Sequence, residues 1–197
     1  MKYIKPIAYL ILIAALTIFI YKFFFAESFS LKVSETSVVS ELRALSRLET
    51  AQFTIEKVID AGTDGGAFTQ FLFGDRILLI AHGTIIAGFN LENLTDNAVV
   101  IAGQDIEITL PAPEILLAML DNSQTRVFDR KLGLLTKGDD ALESKTRALA
   151  TEIIRKAACD GGVLDEAAKN GRDQLTALLK TLGFAEVTIT IPAGTCS

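Results

Sequence analysis

The first strong pattern along the chain is a long stretch without polar periodicity. From Ile7 to Tyr21 no residue is charged, and past Lys22 the run Phe23, Phe24, Phe25 and Ala26 stays apolar. Twenty residues at helical rise span about 30 Å, the thickness of a bilayer's hydrocarbon core. The pattern predicts a transmembrane helix over residues 7–26, after a short tail (1–6) and before a polar stalk (27–36). Pro6 suits a first helical turn, and the Lys22 stem can snorkel to the headgroups. Two other readings compete. A cleaved signal peptide needs small residues ahead of the cut, and bulky Phe24 stands where one is required. A core helix of this length would show a polar face. Lys2, Lys5 and the α-amino group, set against Lys22 and Lys32, favour a cytoplasmic N-terminus and an extracytoplasmic domain over residues 37–197.

Within that domain the period changes several times. Val38, Leu42 and Leu45 fall at helical spacing behind Ser37, a residue able to cap a helix. Ala51–Ile59 alternates as a strand does, and 61–66 is a glycine-rich loop. Ile77–Ala81 is continuously apolar, predicting a strand covered on both faces that runs through His82 to Gly88. Gly83 within it suggests a bulge or a close approach of another backbone. Ala98–Ala102 and Asp105–Leu110 read as a hairpin about Gly103-Gln104.

Pro111 and Pro113 each lack a ladder donor, so this segment is an edge, a kink or a helix start. Residues 115–120 fit strand or helix equally. A turn at 121–123 precedes a short strand at Arg126–Asp129.

From 139 or 140 to about Cys159 a helix is predicted, with Leu142, Thr146, Leu149, Ile153 and Ala157 on one stripe. Glu143/Arg147 and Glu152/Lys156 are ion pairs at helical spacing along it. A second helix reaches Leu182, with Gly183 as its cap and Gly171 permitting close packing. Glu186–Ile191 is a last strand. The order predicts an α+β domain: a mixed, mostly antiparallel sheet with a C-terminal helical hairpin and a final strand.

Charge narrows the function classes. Before residue 27 there are three lysines and no acid, so the rest carries 16 basic and 24 acidic side chains, a net of −8. An acidic domain without a compact Lys/Arg run repels phosphate backbones, so nucleic acid is not an expected partner. The expected partners are membrane lipid, through the N-terminal helix, and a protein partner or a second copy.

The order of residues has a counterpart. Leu48-Glu49-Thr50-Ala51, Ile80-Ala81-His82-Gly83-Thr84 through Ala87-Gly88-Phe89, and Ile108-Thr109-Leu110-Pro111-Ala112-Pro113-Glu114-Ile115 carry most of it. Val127-Phe128-Asp129, Gly133-Leu134-Leu135 and Leu182-Gly183-Phe184 come after them. In these the chain resembles the membrane-anchored bacterial proteins catalogued as domain of unknown function 4230, over about residues 40–191. The resemblance implies a single N-terminal anchor and a bacterial origin, and it supplies no activity or site residue.

Candidate chemistry is sparse. Cys159 and Cys196 are the two cysteines. Outside the cytoplasm they favour a disulfide, with two unpaired thiols as the alternative. His82, the one histidine, has no partner at metal-ligand spacing and reads first as an ordinary sheet imidazole. Gly62, Gly65 and Gly66 resemble a phosphate cradle in composition, but no Lys-Ser/Thr and no helix start is read after them. Glu114, Asp121 and Asp129 surround the proline segment, and Asp64 can join them, as a carboxylate pair or a calcium site; solvated acids are the plainer account. No cofactor is expected. The leading expectation is a tethered, non-enzymatic binding or scaffolding domain recognising a protein partner or its own copies; a subordinate version has it oligomerise through the helical hairpin. The rival is an envelope hydrolase using His82 with carboxylates near Glu114 and Asp129.

Overall fold

The computed structural model describes residues 16–17, 34–63, 65–92 and 94–196. Apart from Leu16 and Thr17, the predicted membrane helix lies outside the described residues, as does Asp64. Among the described residues no helix is long and apolar enough to cross a membrane. The chain divides into two units, Met1–Ser34 and Glu35–Ser197. The second unit holds every strand described below and the helices packed on them.

Helix α1 (Glu35–Ala44) begins two residues before Ser37, and the Glu35 carboxylate accepts the Ile101 N–H at 2.8 Å. Two strands of 16 residues each, β1 (Arg47–Gly62) and β2 (Asp75–Asn90), then form an antiparallel ribbon. A short helix, α2 (Ala67–Phe73), joins them. Next come a 3-10 turn at Asp96–Ala98, then β3 (Val99–Ala102) and β4 (Asp105–Thr109) as the expected hairpin. Residues 110–113 carry the chain from that hairpin to the long ribbon, which suits prolines that cannot serve a ladder. There β5 (Glu114–Leu120) and β6 (Arg126–Leu132) both pair with β2. Helices α3 (Leu142–Asp160) and α4 (Val163–Thr181) precede β7 (Glu186–Thr190).

The architecture is α+β, with two sheets where the sequence pattern suggests one. The first has β2 at its centre, β1 on one side, and β5 and β6 end to end on the other. The second has the order β3-β4-β7, and its β4–β7 pair is parallel while the remaining pairs are antiparallel. Each sheet has a core. One gathers Val39, Phe89, Leu91, Ile108 and Leu179, between α1, the second sheet and the end of α4. The other gathers Leu79, Ala81, Ile85, Ala150, Ile154 and Ala167, between the first sheet and the helical hairpin.

The helices press on one face of the first sheet only. Along β2, Ile77, Leu79, Ala81, Ile85 and Ala87 are fully buried, whereas Leu78, Ile80, His82, Thr84 and Ile86 are half-buried. The expectation of a strand covered on both faces is corrected: the helical hairpin lies over one face only, and α2 borders the second at its distal end.

The stripe expected on α3 also turns. Leu142 and Thr146 are buried as expected, but Ala150, Ile154 and Ala158 come next, and Leu149 is exposed. A seat on a twisted sheet follows the i+4 row, which rotates away from the straight a/d stripe. The small alanines let the helix backbone approach. Glu143–Arg147 pairs at 2.9 Å, but Glu152 pairs with Arg155 at 2.9 Å, and Lys156 with Asp160 at 3.0 Å.

Two glycines mark close approaches. A Cβ on Gly171 would lie 2.4 Å from the Phe89 ring, and one on Gly83 would lie 2.9 Å from Ile154 of α3. Gly83 is therefore a seat for a helix side chain, and the irregularities of the ladders fall elsewhere, at 49/51, 86/87 and 78/79.

Candidate functional site

Register decides which candidate residues can meet. On β2, His82 and Leu78 point to the uncovered face, and Asp129 pairs with Leu78. Four residues separate His82 from that pair, roughly 13 Å at strand rise. Glu114 pairs with Gly88, ten positions along β2 from Leu78, so it lies about 33 Å from Asp129. The three residues proposed as a hydrolase site do not converge. Instead His82 Nε2 lies 3.2 Å from the Glu56 carboxylate on the neighbouring strand, with the imidazole 21% exposed. Glu114 borders a separate cavity of about 310 Å³ beside Arg155 and the Thr195–Cys196 tail.

The third acid, Asp121, has a local task. Its carboxylate accepts the Ser123 hydroxyl, the Gln124 side-chain N–H₂ and the Ser123 backbone N–H at 2.8 Å. Those donors hold its pKa down at about 2. The turn that it closes interrupts a strand: β5 ends and β6 resumes along the same edge of β2. Opposite the gap, His82 finds substitutes for its ladder. The His82 N–H donates to the Thr125 hydroxyl at 3.1 Å, and the His82 carbonyl accepts from the Asp121 N–H at 2.9 Å and the Thr125 O–H at 3.2 Å.

The cysteines are joined. Cys159 at the end of α3 and Cys196 in the tail form a disulfide with a Cα–Cα distance of 6.2 Å. A Cβ on Gly194 would lie 2.4 Å from the Pro113 carbonyl oxygen, so the tail is threaded tightly past the proline segment before reaching the bond.

The largest coherent feature was not visible in the sequence. The uncovered sheet face carries Val58, Leu117 and Met119, which are 61%, 42% and 50% exposed, over half-buried Leu78, Ile80 and Ile86. Phe128, the extra residue of a bulge, is 66% exposed beside it. At the distal end stands α2, whose Phe68, Phe71 and Phe73 are all exposed, as are Leu134 and Leu135 next to it. A cavity of about 760 Å³ opens there, between Ala67, Gln70 and Phe71 of α2 and Asp60, Arg76 and Lys131 of the sheet face. A smaller one of about 220 Å³ shares those three charged residues and adds Leu78 and Asp129.

A helix thus does begin after Gly66, contrary to the expectation from the sequence. It has no side-chain cap, and Gly62 is not in a turn: it ends β1 opposite Arg76, where a Cβ would lie 2.9 Å from the Asp75 carbonyl oxygen. The i,i+3 spacing of Phe68 and Phe71 was the signal for the helix, in a run too short to separate from a loop.

Charges on the face are paired across strands. Arg76 grips Asp60 through two hydrogen bonds, one of them at 2.7 Å, which lowers the Asp60 pKa. On the buried side, Asp75 accepts two bonds from Arg130 at 3.0 and 2.7 Å and the Asp139 N–H at 2.8 Å. Arg130 holds the Asp75 carboxyl below its ordinary value, against the opposing effect of burial. This second pair fastens the segment leading into α3. Among the described residues no group of His, Cys, Asp and Glu is arranged to hold a metal ion.

No curated protein and no solved structure matches the chain. The match that stands covers residues 40–189, from within α1 into the last strand, and the chain belongs to the family described as protein of unknown function DUF4230.

Proposed function

We propose that this protein is a non-enzymatic docking domain of the bacterial cell envelope, tethered to the membrane by residues 7–26 with its N-terminus in the cytoplasm. The uncovered apolar face of the first sheet carries this reading. Contiguous exposed apolar surface on a soluble domain marks an interaction site, because its hydration costs about 25 cal/mol per Å² until a partner removes it. The Cys159–Cys196 disulfide supports an oxidising compartment. The carboxylates named for hydrolysis stand too far apart for general acid–base work on one bond.

A photo-cross-linker replacing Met119 in the full-length protein tests the reading in native membranes. A product formed from Met119 but not from Leu178, on the outer side of α4, supports docking on the sheet. Equal yields from both positions, or none from either, count against it. The topology has its own check. Protease added to spheroplasts should remove the domain, and its survival would reverse the orientation.

A further inference from the structure

We infer that the occupant of the uncovered sheet face is a second copy of this chain, packed face to face as a two-sheet sandwich. The inference rests on the docking reading above and names its partner.

Three observations point to a copy. The first is size. Two strands of 16 residues, with β5 and β6 along the third row, make a face about 50 Å by 14 Å, roughly 700 Å². A stable interface buries about 800 Å² per partner, so this face and its margins suffice for a dimer.

The second is charge. By register the face carries Glu49, Glu56, Asp60, Glu114 and Asp129 against Arg47, Arg76, Arg126 and Lys131, close to neutral on a domain whose net charge is −8. The rest of the domain carries the acidic excess, so two copies approaching elsewhere bring, on average, net acid against net acid. Approaching by this one they do not, and an anionic lipid surface offers no such match.

The third is placement. The hairpin helices spend most of their apolar surface on the opposite side of the sheet, leaving Leu149, Leu178 and Leu182 exposed, and the rest of α3 carries the ion pairs Glu143–Arg147, Glu152–Arg155 and Lys156–Asp160. Self-association therefore belongs to the sheet and not to the helical hairpin. Twisted sheets pack face to face at about −30° and 10 Å, which a two-fold axis satisfies with identical surfaces.

The test measures the mass of the full-length protein in detergent by light scattering across a concentration series, alongside two double variants. The wild type should dimerise. Leu117→Lys with Met119→Lys should weaken the dimer on the order of 100-fold, while Leu149→Lys with Leu178→Lys on the hairpin should leave it unchanged. An intact disulfide and a cooperative melt certify each variant as folded, and Val58→Lys replaces the first if it fails that check. A wild type monomeric at every concentration overturns the inference, as does a dimer lost only in the hairpin variant. Cross-linking from Met119 separates the two levels. A different protein captured there, with a monomeric wild type, sinks the second copy but leaves the docking face standing; no product at all sinks both.

Discussion

Thr125 shows how much a single hydroxyl can carry. It is buried, and it both accepts from the His82 N–H and donates to the His82 carbonyl, standing in for a missing strand residue. Thr125→Val keeps the shape and removes both bonds, leaving a half-buried backbone N–H unsatisfied. Chemical denaturation should show a loss of about 1–3 kcal/mol. Asp121 next to it sets a pH dependence. Hydrogen bonds from Ser123 and Gln124 lower its carboxyl from 3.8 to about 2 in the folded chain. A carboxyl depressed in this way contributes stability that is complete above the unfolded value. That contribution is lost as pH falls through the window from about 4 to about 2. Asp121→Asn should therefore flatten the stability profile within that window and leave its shape near neutrality unchanged, as urea titrations at successive pH values will show.

At the scale of elements, the disulfide and the broken strand divide the labour of closing the sheet. The bond joins residues 37 apart, fastening the tail to the end of α3. Closing a loop of that length lowers the entropy of the unfolded chain and contributes roughly 4 kcal/mol. Denaturation with and without reductant should differ by up to that amount, and a difference near zero would mean that the cross-link adds nothing to stability. The interruption between β5 and β6 has a geometric consequence. One continuous strand opposite β2 would need an unbroken ladder beside His82, and the turn at 121–125 instead lets each half keep its own register. Alternation alone places Arg126–Asp129 as a strand, but not as the continuation of 114–120. That relation depends on both segments meeting the same partner, which no local pattern contains.

For the molecule as a whole, the two faces of the long ribbon make opposite predictions. Ile85 is fully buried under the helical hairpin, so Ile85→Ala should cost about 2–5 kcal/mol of domain stability. Met119 lies on the other face and is half exposed, so Met119→Lys should change the stability of the dilute, monomeric domain by less than about 0.5 kcal/mol. Equilibrium denaturation of both variants at low protein concentration decides this. A large loss for Met119→Lys would mean that some part of the same chain covers the face.

Local pattern was enough for several features of the chain. The 98–110 hairpin, the two long helices, the Gly183 cap with its φ of 100° and the last strand all follow from period and punctuation, because each depends on neighbours within a few residues. The α+β order follows from their succession. Tertiary structure decided the rest. Periodicity cannot distinguish an apolar strand buried on both faces from one that leaves Leu78, Ile80 and Ile86 half-covered, since either reads as a continuous run. Nor can it place Glu114 and Asp129 at opposite ends of one ribbon, or His82 beside Glu56, because those separations are set by register between strands distant in sequence. The cysteines could be counted from the sequence, but their meeting required a tail led back past Pro113 to the end of α3. The surface proposed for function arises in the same way: its residues come from four strands and become a face only when the sheet forms with its helices on the other side.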